Sequence, residues 1–432
     1  MTVIKKILKK IRKTALAVLR YFPRMRWWAR KTYWNLRHLQ YESISNKVVI
    51  EQKTVLFESY SGRSYACSPW AIFEALCADQ RFDDWQFYWS LRESKIEDLK
   101  SEYSLLVNRA TPVIRGSRQY YEACAKAASW VINNRMPEWV HPRRGQVYVQ
   151  CWHGTPLKRL GFDLPEAAVA ALNTATELSW RFQIDAQKWT YLLSPSAYCS
   201  KHLLSAFGVT SEAGCTVLEQ GYPRNDAIVN TMGSGNIDQI AEAIRQRLGI
   251  PHNKRVLLYA PTWRDSEYKT GLGYVIKNEL DFELLQKRIG KEWIILLRTH
   301  YYISNRIDLS SLDGFVFDVS AVNDVNDLYI VTDVLMTDYS SALFDYSNTS
   351  RPLILFWPDY EFYRSELHGF YMDPNEIPGP KCVNTEEVAA AVESQDLWFA
   401  QYGEDYEKFR QRFCPMDDGL AAKRVIEQVF SP

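Results

Sequence analysis

None of the eight cysteines of this 432-residue chain (67, 77, 124, 151, 199, 215, 382 and 414) stands at Cys-x-x-Cys spacing from another. That absence argues against a structural zinc site and a disulfide framework, and it suits a reducing, cytoplasmic setting. No apolar run nears the ~18 residues that a membrane-spanning helix needs, so an integral membrane protein is not expected. The Walker loop, the Gly-x-Gly-x-x-Gly fingerprint, the His-Glu-x-x-His zinc motif and the Gly-x-Ser-x-Gly elbow are all missing. Their absence disfavours the NTPases, dehydrogenases and hydrolases built on them. There is no internal repeat and no low-complexity tract. Hydrophobic residues at 47% and charged residues at 24% describe a globular chain. At ~100–200 residues per domain, its length suits two domains and an added segment.

Acidic residues are absent from residues 1–41, which carry 12 Lys and Arg. The remainder holds 40 bases against 51 acids, so the formal net charge of +1 conceals a basic end on a mildly acidic body. Ile4, Ile7, Leu8, Ile11, Ala15, Val18, Leu19 and Phe22 recur at helical steps, with Lys5, Lys6, Lys9, Lys10, Arg12 and Lys13 on the other side. Pro23 is expected to break or kink this helix, and Arg26, Trp27, Trp28, Arg30, Lys31, Tyr33 and Trp34 follow it. A basic amphipathic helix with tryptophan beside it suits the interface of an anionic membrane, with Lys5, Lys9, Arg12, Trp27 and Trp28 as contacts. A helix packed on the body and a nucleic-acid arm are the competing readings. A signal peptide is disfavoured by charges within the apolar stretch.

From residue 53 short apolar strands alternate with helices. Strands are expected at 54–59, 86–90, 104–107, 130–133, 147–152, 191–194 and 216–218, with a helix at 69–77. After the polar stretch 230–236 and a helix at 237–248, a second series is expected at 255–260, 293–298, 315–318, 334–337 and 353–356. Alternation of this kind implies parallel sheets joined by right-handed crossovers. Two series imply two doubly wound α/β domains facing a cleft, whose ligands bind beyond the carboxyl ends of the strands.

Four motifs stand at such ends. Gln150-Cys151-Trp152-His153-Gly154-Thr155-Pro156-Leu157-Lys158 places an imidazole, with an ordinary pKa of ~6.5, beside a glycine and a lysine. Ala260-Pro261-Thr262-Trp263-Arg264-Asp265 offers a hydroxyl, an indole and a guanidinium for a nucleotide pocket, though a turn with a surface Arg–Asp pair reads as well. Arg298-Thr299-His300 sets two donors on alternate residues, suited to a diphosphate. In Thr337-Asp338-Tyr339-Ser340-Ser341 a strand ends and a helix opens, offering hydroxyls and a helix N-terminus to an anion; a plain serine cap is compatible with that. Asp163, Asp226, Asp265 and Asp338 are too dispersed to mark a metal site.

At these motifs the chain resembles the CDP-glycerol glycerophosphotransferase family of teichoic-acid primases and polymerases. The matching segments are FESYSGRSY (57–65), WHGTPLK (152–158), GYPRND (221–226), APTWRD (260–265), RTH (298–300) and TDYSSALFDY (337–346). The resemblance implies a glycosyltransferase-B-like fold of two Rossmann-like domains and a peripheral enzyme on the cytoplasmic face of the bacterial cell membrane. It also implies transfer of a polyol phosphate from a CDP-activated donor, CDP-glycerol foremost, to a lipid-linked acceptor, with release of CMP. CDP-ribitol is the alternative donor, and a nucleotide-sugar glycosyltransferase is the more distant reading. No cofactor, metal or nucleic acid is expected.

Carried over by motif, His153 matches the catalytic base. Arg298 and His300 match the diphosphate contacts, with His300 a second catalytic candidate. Thr337, Ser340 and Ser341 match a phosphate loop, joined by Thr262 and Arg264. Lys158, Arg224, Asn225 and Asp338 are further cleft contacts. The expected domains are 1–50, the membrane-surface segment; 51–232, the acceptor side carrying His153; and 233–432, the donor side with the C-terminal helices. The short stretch before the first strand leans toward a primase or short-chain transferase.

Overall fold

The computed structural model describes residues 22–96, 104–165, 175–210, 214–262, 268–269, 273–274, 280–299, 309–363 and 369–430. Its first sheet contains β1 (Glu51–Glu58), β2 (Gln86–Leu91), β3 (Ala110–Ile114), β4 (Ala127–Ile132), β5 (Val147–Gln150), β6 (Tyr191–Ser194) and β7 (Thr216–Glu219). All are parallel, in the order β3-β2-β1-β4-β5-β6-β7. The second contains β8 (Arg255–Ala260), β9 (Trp293–Leu297), β10 (Val316–Asp318), β11 (Val334–Thr337), β12 (Leu353–Phe356) and β13 (Lys381–Cys382). It too is parallel, in the order β10-β9-β8-β11-β12-β13. Both follow the doubly wound 3-2-1-4-5-6 order of Rossmann-type sheets, so the expected architecture of two facing α/β lobes is present.

The strands read as continuous apolar runs because each sheet is covered on both faces. In β1, Val55 and Phe57 join one cluster with Phe73, Trp89 and Val131, while Leu56 points the other way, to Trp130 and Tyr148. Phe57 and Trp89 stack at 5.3 Å across the β1–β2 pair. The second sheet divides likewise, with Val256 and Leu258 on one face and Leu257 and Tyr259 on the other.

Three expectations change. Residues 104–107 form the start of a helix, Ser104–Arg109, not a strand. Leu105 and Leu106 face inward and Val107 and Asn108 are exposed, a two-in, two-out pattern that fits a helical turn and not an alternating strand, and the strand is the following Ala-Thr-Pro-Val-Ile. Pro112 lacks an N–H for the ladder and is tolerated because β3 is an edge strand. Second, part of the segment expected on a membrane surface is packed on the body, as the competing reading had it: past the boundary expected at Pro23, marked by the non-helical Phe22, α1 spans Pro23–Ser45, with proline at a first-turn position that its fixed φ suits. One face of α1 docks on the first lobe. Arg26 pairs with Glu177 at 3.0 Å, Trp34 stacks on Trp180 at 5.3 Å, and Tyr41 is buried.

Third, the expected boundary at 232/233 does not divide the packing. Helix α2 (Asp226–Gly233) already contributes Ile228 to the second lobe's core. The last helix, α3 (Ala421–Val429), returns to the first lobe, where Val425, Ile426 and Phe430 pack with Phe73, Phe82 and Phe87. The physical reason is the amphipathic stripe of α3, which covers apolar side chains beside β1 and β2. Ile426→Ala should therefore cost about 2–5 kcal/mol, read as a lower urea midpoint by tryptophan fluorescence; a loss under about 1 kcal/mol, ordinary for a surface change, would place α3 outside that core.

Candidate active site

The carboxyl ends of both sheets open on one cleft of about 1170 Å³ between the lobes. Backbone strain gathers there. Tyr60, Ser61, Cys67 and Trp152 have φ of 49°, 57°, 66° and 47° and all line the cleft. Left-handed conformations of non-glycine residues cost ~1–3 kcal/mol each and persist where the surroundings over-determine them.

His153 follows the left-handed Trp152, just past the end of β5. Its Nδ1 lies 2.6 Å from the carbonyl oxygen of Asn133. A carbonyl only accepts, so Nδ1 carries the proton and Nε2 holds the free lone pair. The ring is half-buried between Trp152, with centroids 4.3 Å apart, and the edge of Tyr60, at 5.8 Å. Burial, helped by the charges of Arg224 and Arg135, lowers its pKa to about 4 against the pull of the Asn133 carbonyl. This corrects the expectation of an ordinary value near 6.5: the imidazole is neutral throughout the physiological range. Gly154 comes next, and a Cβ there would stand 2.5 Å from the Oγ of Ser341. The glycine is what lets the His153 loop meet the second lobe.

On that lobe Arg298 lines the cleft and donates from Nη1 to the carbonyls of Val322 at 2.9 Å and Val319 at 3.4 Å. Burial lowers its pKa from the usual guanidinium value. Ser340 and Ser341 also line the cleft. The helix they open, α4 (Ala342–Tyr346), follows Ser341 at its N-cap and is only five residues long, so the hydroxyls rather than a long helix dipole are what this wall offers.

Two expected phosphate donors are committed elsewhere. The Thr337 hydroxyl is fully buried and donates to the Ala260 carbonyl at 2.7 Å. Thr262 lines the cleft, but its hydroxyl donates to Asp338 Oδ2 at 2.9 Å. Asp338 is itself buried, also accepts from the Thr262 N–H at 2.9 Å, and does not line the cleft, so it secures the 260–262 loop. His300 and Arg264, like Lys5, Lys9 and Arg12, lie outside the described residues.

Arg224 and Asn225 join the lobes. The Arg224 guanidinium donates to Asp345 Oδ1 from Nη2 at 2.8 Å and from Nε at 3.1 Å, and Asn225 Nδ2 donates to the same oxygen at 3.1 Å. Burial would depress Arg224, yet Asp345 holds it well above its usual pKa. Lys158 lines the cleft and forms an antiparallel bridge to Phe370 of the second lobe, with its ammonium 5.6 Å from the ring centre of Tyr363. Trp27, an expected membrane contact, instead packs edge-on against Trp180 at 4.7 Å. Trp28 is 71% exposed.

The described lining holds nine Arg and Lys against four Asp and Glu, although the body of the chain is acidic. A cleft whose charge is opposite to that of its surroundings focuses an anionic ligand. Several residues that matter here went unnoticed in the sequence: Asn133, which orients His153, and Arg92, Arg115, Arg135 and Arg181; Arg63 entered only as part of the matching segment 57–65. The rule that ligands sit past strand ends could have pointed to Arg92, which directly follows β2, whereas Arg115 follows β3, the strand expected too early, at 104–107.

Two doubly wound parallel sheets whose carboxyl ends face one cleft form the glycosyltransferase-B-like fold. The chain belongs to the CDP-glycerol:poly(glycerophosphate) glycerophosphotransferase family, whose model matches residues 40–431. It is 36% identical over 388 residues to a teichoic acid poly(glycerol phosphate) polymerase of Bacillus subtilis, a match covering 90% of this chain and 50% of that protein. The chain thus spans about half the length of that relative. It is 37% identical to the polymerase of the same name in Bacillus spizizenii, over 88% of this chain and 92% of that one. A ribitol-phosphate polymerase of that organism is 26% identical. Among solved structures, a histidine variant of the wall teichoic acid polymerase TagF, soaked with CDPG, superposes with a TM-score of 0.80 at 34% identity, covering 92% of this chain and 96% of that one.

Gly154→Ala should drive the new methyl against Ser341 and lower the melting temperature by several degrees, as ~1–3 kcal/mol of overpacking does. Adding Ser341→Gly should restore most of that loss; no recovery in calorimetry would overturn the contact.

Proposed function

We propose that the chain transfers glycerol phosphate from CDP-glycerol to a hydroxyl of a lipid-linked acceptor, releasing CMP, in the synthesis of teichoic acid or a related surface polymer. The observation that carries this reading is His153, held as a neutral base by the Asn133 carbonyl with Nε2 free, at the edge of a basic cleft. Glycerol is the polyol we assign because the more similar relatives carry glycerol phosphate in their names.

The acceptor hydroxyl attacks the β-phosphorus of the donor as His153 Nε2 takes its proton. The new O–P bond forms while the bond from the β-phosphorus to the bridging oxygen breaks, and CMP leaves with that oxygen. Arg298, Ser340 and Ser341 face the donor phosphates from the second lobe, and positioned donors of this kind contribute a few kcal/mol each. His300 and Arg264 are assigned to the same side by motif alone. Thr262 and Asp338 shape the loop beneath the donor, and Lys158, Arg224 and Asn225 keep the two walls in register.

No helix among the described residues is long and apolar enough to cross a membrane. The outer face of α1 carries Met25, Trp28, Leu36 and Leu39, and Phe22 precedes it at the N-cap, all 52% or more exposed. Opposite the face docked on the first lobe, and following the basic residues 1–20, this stripe suits an anionic bilayer surface on the cytoplasmic face, where a soluble donor meets a lipid-carried acceptor.

The test is CMP release from CDP-glycerol and from CDP-ribitol with a lipid-linked acceptor analogue; acceptor-dependent CMP from neither would overturn the reading. His153→Ala should lower kcat by ~10²–10⁴-fold with CDP-glycerol affinity retained. Because the free imidazole titrates near 4, kcat/KM should hold steady as pH falls through 6.5 and decline only toward 4. An acid limb at 6.5 that persists in each of Asp185→Asn, Asp324→Asn, Asp417→Asn and Glu74→Gln, which exclude the carboxyls that burial raises to about 6 or 7, would remove His153 as the base. Trp28→Ser with Leu36→Ser should weaken sedimentation with anionic vesicles about tenfold or more, while Trp27→Ser should instead lower stability; unchanged sedimentation of the double variant would overturn the membrane assignment.

A further inference from the structure

The cleft is larger than one small substrate requires: ligand pockets enclose ~300–1,000 Å³, and this one has about 1170 Å³. Part of its lining runs along the first sheet, away from His153. Three neighbouring strands there each deliver an arginine into the lining: Arg115 directly after β3, Arg92 directly after β2, and Arg63 on the loop after β1.

Their backbones are joined. Arg115 N–H donates to the Leu91 carbonyl and Arg92 N–H to the Gly62 carbonyl, both at 2.7 Å. Gly62 has φ of +76°, and a Cβ there would meet the Arg92 nitrogen at 3.0 Å, so only glycine brings the β1 loop this close to the end of β2. Asn134 Nδ2 donates to Ser61 Oγ at 3.2 Å, tying this shelf to the segment whose Asn133 carbonyl orients His153. One buried carboxylate, Glu58, accompanies the three; both its oxygens accept from Arg115 Nε at 3.0 Å. The loop is also strained, with left-handed Tyr60 and Ser61 preceding Gly62, and Tyr60 N–H is held by Asn133 Oδ1 at 2.7 Å.

We infer that this shelf, centred on Arg92 and flanked by Arg63 and Arg115, is a subsite for the phosphodiesters already present in the acceptor chain. The inference rests on the proposed phosphotransfer, which places the reacting hydroxyl at His153. Strands lie ~4.8 Å apart, so the end of β2, three strands from β5, stands ~14 Å from the reacting end. A glycerol phosphate repeat linked through its terminal carbons has six backbone bonds, as two peptide residues have, and so spans ~7 Å when extended. The second phosphate back from the attacking hydroxyl therefore reaches the level of Arg92, where a guanidinium fork matches phosphate geometry. A chain with two or more units is gripped better than an unprimed acceptor, which favours repeated addition over a single one.

The direct test needs no turnover. Binding of a soluble tri(glycerol phosphate) and of CDP-glycerol is measured by calorimetry on the full chain, in wild type, Arg92→Gln and Arg92→Lys. The oligomer should bind wild type, lose about tenfold or more in affinity in Arg92→Gln, and bind Arg92→Lys with intermediate affinity, since lysine keeps the charge and loses the fork, while CDP-glycerol binds all three alike. Competing inorganic pyrophosphate should displace the oligomer poorly. Equal oligomer affinity in wild type and Arg92→Gln, no oligomer binding, or a loss confined to CDP-glycerol would each overturn the subsite. Efficient displacement by pyrophosphate would overturn it too, assigning the shelf to the diphosphate of a lipid anchor. Failure of CDP-glycerol to bind wild type would instead strike the proposed function. Unfolding curves that match wild type confirm that Arg92→Gln folds.

Discussion

The buried pair between Arg224 and Asp345 is the constraint on which the cleft depends. Its two partners come from different lobes and are 121 residues apart in sequence. Two charges withdrawn from water recover their desolvation cost only with good geometry and further hydrogen bonds. Here Asn225 adds a third donor to the same carboxylate oxygen, and Asn326 Nδ2 donates to the Arg224 carbonyl at 2.7 Å. A second carboxylate, Asp417, extends the arrangement: it accepts from the Tyr222 N–H at 2.8 Å, from Asn225 Nδ2 at 2.6 Å and from Asn348 Nδ2 at 3.0 Å. Burial raises its pKa to about 6, against the pull of these donors. The brace holds the imidazole wall opposite the hydroxyl and guanidinium wall, and without that register neither has a function of its own.

Within this frame the two lobes take different tasks. In the proposed reaction the first supplies the base, His153, and, at the far strand ends, a shelf of arginines. The second supplies Arg298 and the serines around the opening of α4. Concentrating positive charge in the cleft of an acidic body draws anionic substrates inward and leaves the outer surface a poor competitor for them. The neutrality of His153 belongs to the same design: burial in the cleft wall is its main cause, and the nearby charges of Arg224 and Arg135, which also suit a phosphate, add to it. One electrostatic environment serves both binding and proton acceptance.

Much of the fold was legible in the sequence because buried parallel strands are continuous apolar runs: Arg255–Ala260, Val334–Thr337, Leu353–Phe356 and Tyr191–Ser194 have the expected limits. The stretch 104–107 misled because three apolar residues in a row fit a strand or a helical turn equally, and only the pattern of burial decides. The motifs also lay where expected, past strand ends. What sequence could not convey was the direction of each proton. Thr337 and Thr262 have the right chemistry in the right neighbourhood, yet the Ala260 carbonyl and Asp338 take their hydroxyl hydrogens. Arg92 and Arg115 look unrelated until the order β3-β2-β1 sets them side by side. Trp27 and Trp28 are adjacent and alike in sequence, and the helical rotation between them puts one against Trp180 and the other in solvent.

The return of the last helix to the first lobe has a mechanical consequence. The polypeptide passes between the lobes twice, once near 220–226 and once near 414–421, and the passages run side by side. Asp226 accepts from the N–H groups of Ala421 and Ala422 at 3.0 and 2.7 Å, and Arg424 donates to the carbonyls of Gln220 at 2.8 Å and Met416 at 2.7 Å. A single tether would let one half swivel freely on the other. Two tethers bonded at one place act as a door hinge does: they permit swing about a single axis and resist twist and translation. A swing of that kind would widen the mouth of the cleft, and on closing the same atoms would return to face each other.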